Sequence, residues 1–142
     1  MTHINPSEAN FQAFKDLPRD TPIQMLNLVR YRKKADYPEG HELHGKGWTG
    51  DEAYAEYGKT SGPIFQRVGG KIVWRGRYET VVTGPDDEQW DAAFIAEYPN
   101  AGAFFEMIAD PEYQAAVVNR TAAVEDSRLI RFGKLDGGEG FA

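Results

Sequence analysis

Apolar positions recur along the chain with two periods, and the switches between them mark the elements. Phe11, Phe14 and Leu17 fall at helical spacing behind Asn5-Pro6-Ser7-Glu8, which reads as an N-cap, a proline at the first helical position and an acid in the first turn. This predicts a helix over about 6–17, ended by Pro18. Thr21-Pro22 opens a run, Ile23–Tyr31, that is apolar in both strand registers, the pattern of a strand buried on both faces. Residues 32–50 hold Pro38, Gly40, Gly45, Gly47 and Gly50 without a period, and read as a long loop of the kind that covers a site.

Thr49-Gly50-Asp51-Glu52 has capping-box spacing and predicts a helix over about 51–68. Tyr54, Tyr57, Ser61, Ile64, Phe65 and Val68 share its inner stripe, and Pro63 is expected to kink it. Gly69-Gly70 ends it. Lys71–Thr83 then reads as a strand bulged at Gly76, Gly84-Pro85-Asp86-Asp87 as a turn, and about 89–98 as the returning strand. In that strand Trp90, Ala92, Phe94, Ala96 and Tyr98 share a face. Pro99-Asn100 caps a further helix that Asp110-Pro111-Glu112 restarts, with Tyr113, Ala116, Val117, Arg120 and Val124 on one side. A last strand is expected over about 127–133, and residues 135–142 as a loose tail.

The order is a helix followed by β-α-β-β-α-β, an α+β ferredoxin-like sandwich with an extra N-terminal helix. The 142 residues make one domain, with its core over about 20–134. Helices on one side leave the other sheet face bare, and that face is apolar, which predicts pairing with a second copy into a homodimer. With no cysteine there is neither a disulfide framework nor a thiolate metal site. A net charge of −6 argues against a nucleic-acid partner. The charge is uneven, +2 over residues 1–84 and −8 over 85–142, as when one domain presents two different faces. No membrane span or leader is legible, so a cytoplasmic protein is expected.

Several stretches together resemble one family. Gly69-Gly70-Lys71-Ile72-Val73-Trp74-Arg75-Gly76, Phe94-Ile95-Ala96-Glu97-Tyr98-Pro99-Asn100, Asp110-Pro111-Glu112-Tyr113-Gln114 and Ser127-Arg128-Leu129-Ile130 are similar to the domain of unknown function 1330 family over about residues 20–134. The chain departs from its simplest members in the long 32–50 loop and in Tyr98-Pro99, where Phe-Pro is more usual. The resemblance implies a dimeric α+β barrel, two ferredoxin-like sheets packed face to face, with no assigned activity. In such barrels a pocket lies between the long helix and the sheet.

Against that pocket a few residues stand out. Arg75, beside Trp74 and before a glycine, has the planar fork that anchors a carboxylate or phosphate; the plainer alternative is an edge arginine paired with Glu79 or Asp91. Arg120 sits on an apolar stripe, where an unpaired charge is costly; it either takes a ligand or snorkels to a partner. Tyr54, Tyr57 and Ser61 can bind a substrate oxygen or simply pack with their hydroxyls on backbone. Asn27 interrupts an apolar strand with an amide that needs partners at both ends.

His41-Glu42-Leu43-His44 lacks the His-Glu-x-x-His spacing of a zinc helix, so no metal is expected, although a loop histidine folded over the pocket could act as a base. The candidate catalytic residues are therefore His41, Asn27 and Tyr57, and the candidate substrate-binding residues Arg75, Trp74, Tyr57, Ser61, Arg120 and Asn27. The function these suggest is a cofactor-independent enzyme acting on a small anionic or aromatic substrate. The alternatives are a non-catalytic small-molecule-binding or stress-response homodimer, and a purely structural domain.

Overall fold

A computed structural model describes residues 1–141. The elements run α1 (Glu8–Asp16), β1 (Ile23–Tyr31), α2 (Gly50–Arg67), β2 (Lys71–Gly76), β3 (Ala92–Tyr98), α3 (Ala101–Ala109), α4 (Pro111–Ala123) and β4 (Val124–Gly133). The four strands form one antiparallel sheet in the order β2-β3-β1-β4, the ferredoxin-like arrangement. β1 is central, hydrogen-bonded to β3 on one side and β4 on the other; Ile23, Met25 and Val29 are buried under the helices, whereas Leu26 and Leu28 on the bare face are only partly covered, so the strand is not buried on both faces within one protomer.

The helix starts follow local capping chemistry. Thr49 accepts from Glu52 N while the Glu52 carboxylate accepts from Thr49 N, a closed capping box. Asn100 accepts from Ala103 N, and Asp110 caps α4 ahead of Pro111. The first helix begins two residues later than its sequence suggests, because Ser7, not Asn5, accepts the Asn10 amide. α2 runs as one helix through Pro63, from Gly50 to Arg67.

Three strand expectations are corrected. β2 ends at Gly76 rather than Thr83, and its irregularity falls between Ile72 and Trp74, not at Gly76. The Trp74 indole lies over Gly76, where a Cβ would stand 2.6 Å from Cζ2, so the glycine serves close packing. β3 starts at Ala92, since Asp91 is drawn off to β1: its N–H donates to the Val29 carbonyl, and its carboxylate accepts from Tyr31 N. β4 starts at Val124, directly off α4.

The helices cover one face of the sheet. One core cluster joins Ile23, Met25, Ile64, Tyr98, Met107 and Tyr113; a second joins Val29, Tyr37, Ala53, Ala122, Ala123 and Val124. The loop between β1 and α2 is docked on the second cluster. Tyr37 is buried with its hydroxyl donating to Asn119 Oδ1 at 2.6 Å, and Asp36 N donates to the Ala122 carbonyl. The start of α2 approaches the end of β1 so closely that a Cβ at Gly50 would stand 2.1 Å from the Arg32 carbonyl oxygen. Among the described residues, no helix is long and apolar enough to cross a membrane.

The opposite face has no helix. Register places Leu26 and Leu28, Trp74, Ile95, Ile130 and Phe132 there, and Trp74 and Phe132 remain 49% and 50% exposed. At one end Arg30 and Arg128 both lie 5.3 Å from the ring of Trp90.

Candidate functional site

On the helix-covered side a row of tyrosines crosses the molecule. Tyr31, the last residue of β1, lies 5.2 Å from Tyr54 of α2, ring centre to ring centre, and Tyr54 lies 5.4 Å from Tyr57 one helical turn on. Tyr57 and Tyr113 of α4 share a hydroxyl–hydroxyl bond of 2.8 Å. Three register positions of strand and helix thus converge: Tyr31 continues the inward series of Ile23, Met25 and Val29, while Tyr54 and Tyr57 form the α2 stripe.

Arg120 stands beside this row. It follows Tyr113 by two helical turns on α4, and its positive charge acts on Tyr54, Tyr57 and Tyr113. The guanidinium donates to the Ile4 carbonyl at 2.9 Å and to Ser127 Oγ at 3.3 Å, and is only half-buried. Among the described residues no carboxylate pairs with it. A partly buried cation satisfied only by neutral oxygens keeps donors for an anion.

Burial raises all of these phenols. Tyr31 is pushed up to about 12 by burial and by the Asp51 and Asp91 carboxylates, with Arg75 opposing. Tyr54 is raised chiefly by burial, and Tyr57 is held well above the ordinary phenol range by burial and by its bond to Tyr113. Arg120 lowers both, and is outweighed. The row is therefore a set of protonated hydroxyls near neutrality, able to donate to an oxygen and unsuited to take a proton.

The sheet beneath is incompletely covered. Asn27 and Leu129 are cross-strand partners on the helix side; Asn27 is half-buried and Leu129 is 42% exposed. They lie between Ser127, which touches Arg120, and Arg131, which reaches the Phe14 and Pro18 carbonyls by α1. Asn27 Nδ2 donates to the Met25 carbonyl, which orients the amide within its own strand. At the other end the row opens into a groove of about 590 Å³ lined by Tyr31, Arg32, Lys33, Thr49, Asp51 and Asp91.

The residues singled out from the sequence divide accordingly. Arg120 lies near enough to Tyr57, and Arg75 near enough to Tyr31, to act on it electrostatically. Arg75 is exposed on the edge strand, and among the described residues neither Glu79 nor Asp91 forms an ion pair with it. Trp74 pairs with Ile95 while Arg75 pairs with Phe94, so the two side chains take opposite faces and cannot wall one pocket within a protomer. Ser61 is buried with Oγ donating to the Tyr57 carbonyl of its own helix, a packing role.

His41 and His44 brace their loop. His41 stacks on Tyr37 at 4.7 Å and accepts from Leu43 N, while His44 Nδ1 donates to the Tyr37 carbonyl. Neither contacts the tyrosine row in these bonds. Sequence reasoning did not single out Tyr31, Ser127 or the Ile4 carbonyl. Tyr31 was reachable from the period-two series of β1; the other two depend on contacts across more than a hundred residues.

A solved protein of unknown function from Rhodopseudomonas palustris is 52% identical, with a TM-score of 0.88 over 96% of this chain and 100% of its own. SnoaB, a cofactor-independent oxygenase from Streptomyces nogalater, is 13% identical, with a TM-score of 0.53 over 84% of this chain and 99% of its own, a likeness of fold. No curated protein matches. A family model described as a domain of unknown function, DUF1330, matches residues 47–132. With more than half its length matched and a solved relative at 52% identity over nearly all of it, the chain belongs to the DUF1330 family.

Proposed function

We propose that this protein is a homodimer, each protomer of which binds a small anionic, aromatic molecule between α2, α4 and the sheet, with Arg120 as the anion's partner. One observation carries the reading. Arg120 is a half-buried guanidinium that no carboxylate among the described residues pairs with, close enough to Tyr54, Tyr57 and Tyr113 to act on them electrostatically. A structural arginine at such a place is expected to be paired; one that is not is suited to a ligand. The phenol rings supply an apolar wall and their hydroxyls supply donors, while Asn27 and Leu129 floor the open side. Arg75 and Tyr31 mark the far end of the same row.

The dimer rests on the uncovered sheet face. Trp74, Ile130 and Phe132 form with Leu26, Leu28 and Ile95 an apolar surface on the side away from the helices, and a second copy of the same face is its complement. For chemistry the site offers donors without a cofactor: protonated phenols and a guanidinium polarise a carbonyl or hold a developing oxyanion. The likeness in fold to a cofactor-independent oxygenase is an analogy of architecture and motivates an assay for substrate-dependent oxygen uptake. A non-catalytic binding dimer uses the same site, and the absence of turnover with a bound ligand would select it.

The test is a thermal-shift screen of small aromatic carboxylates on wild type, Arg120→Gln and Arg75→Ala. A ligand at a hundred times its dissociation constant adds about 2.7 kcal/mol to wild type. The reading expects that gain to vanish in Arg120→Gln and to shrink in Arg75→Ala. Equal stabilisation of all three proteins, or of none, counts against it.

A further inference from the structure

The segment ahead of α1 is tied down at Arg120, Asp126 and Ser127. His3 N–H donates to Asp126 Oδ1 at 2.8 Å, the His3 carbonyl accepts from Ser127 Oγ at 2.7 Å, and the Ile4 carbonyl accepts from Arg120 at 2.9 Å. The Ile4 side chain packs half-buried against the second core cluster. On either side Thr2, Asn5 and Pro6 are exposed. Beyond them Ser7 caps α1, whose nine residues include none that is buried. Two residues thus form a strap across β4, and three hydrogen bonds with one apolar anchor fasten it.

From this geometry we infer that the His3–Ile4 strap is a displaceable cover of the anion site, its Ile4 carbonyl holding the guanidinium until a ligand's carboxylate takes that place. The inference rests on the proposed Arg120 site. A carboxylate is the stronger partner for the cation, because a bond charged at both ends exceeds one to a neutral carbonyl. The freed strap groups do not stay unsatisfied, since the segment is at the surface and water replaces their partners. Ser127 joins the two events: its hydroxyl donates to the strap and accepts from Arg120, so loss of the strap frees it to donate to the ligand as well. The exposed floor residue Leu129, two positions beyond Ser127 on the same side of β4, gives the incoming ring a surface next to the strap.

The experiment follows the His3 amide by hydrogen exchange in the full chain, observed by NMR, with benzoate as the probe. In the free protein this amide is protected by Asp126; saturating benzoate is expected to accelerate its exchange while amides of β1 stay protected. Ile4→Gly removes the apolar anchor without touching Arg120, and is expected to tighten benzoate binding by about fivefold, as when a larger share of the protein is already competent. Benzoate binding that Arg120→Gln abolishes, with His3 equally protected in its presence and no gain in Ile4→Gly, overturns the strap and leaves the site standing. Benzoate binding that survives Arg120→Gln, or no binding to wild type and Ile4→Gly alike, overturns the site itself and the strap with it.

Discussion

Ser61 and Tyr57 occupy the same stripe of α2, yet their chemistry separates through their partners. The Ser61 hydroxyl is spent on its own helix, so Ser61→Ala is expected to cost about 1 kcal/mol or less and to leave ligand binding unchanged, checked by denaturant unfolding beside the thermal-shift screen. Tyr54 and Tyr57 carry raised pKa values because burial penalises the phenolate. The unfolded chain ionises its tyrosines near 10, so their contribution to stability is whole below about pH 10 and is lost as pH rises toward the native values. Absorbance titration of the folded protein should show part of its phenolate signal appearing only with alkaline unfolding; a complete, reversible phenol titration centred near 10 in the native protein would contradict this. Gly50 is the most constrained glycine among those without positive φ. Gly50→Ala sets a methyl against the Arg32 carbonyl and amide at 2.1 and 2.8 Å, backbone atoms that cannot swing aside, and is expected to destabilise by about 1–3 kcal/mol in urea unfolding.

The elements are held by caps and charge clusters as much as by burial. Thr49→Ala opens the capping box of α2 and should cost about 1 kcal/mol, read as a shift in the urea midpoint with an unchanged slope. On the uncovered face Glu97 is buried between β1, β2 and the end of β4. Burial raises its pKa, but hydrogen bonds from Lys134, Gln24 and Lys71 outweigh that and hold it below the ordinary value. Asp126 behaves likewise: its own burial is overcome by the His3 amide and by Arg128. Both are depressed carboxylates, so their stabilising contribution is present above the usual carboxylate range, about 4, and disappears as pH falls through the lower folded values. Urea unfolding followed by circular dichroism should therefore show wild type more stable than Glu97→Gln near neutrality, with the difference shrinking as pH falls below about 4.

Among the described residues the fold is one sheet with a single covered face, and the proposed dimer is what would give the other face its role. Substituting a charge on that face, as in Phe132→Asp, is expected to convert the proposed dimer to a folded monomer in sedimentation velocity. A wild type that sediments as a monomer at micromolar concentration refutes the dimer, while the Arg120 site within each protomer remains to be tested by ligand binding.

Much of this architecture was legible in the chain because short-range chemistry specifies it. The capping box at Thr49, the proline after Asp110 and the double apolar register of Ile23–Tyr31 each act within a few residues, and the elements they predict form as expected. The extents of β2 and β3 were not legible, because a strand lasts only as long as its partner, and Asp91 is diverted to the amide of Tyr31. Tyr57 and Arg120 could be named from their stripes, since periodicity tells which side chains face inward. That Arg120 has no carboxylate partner among the described residues, that Ser61 is satisfied by its own helix, that Trp74 and Arg75 part to opposite faces, and that residues 3 and 4 reach across to β4 were decided by the tertiary structure. Partners separated by a hundred residues and more meet only once the sheet has closed, and no local pattern encodes the distance between them.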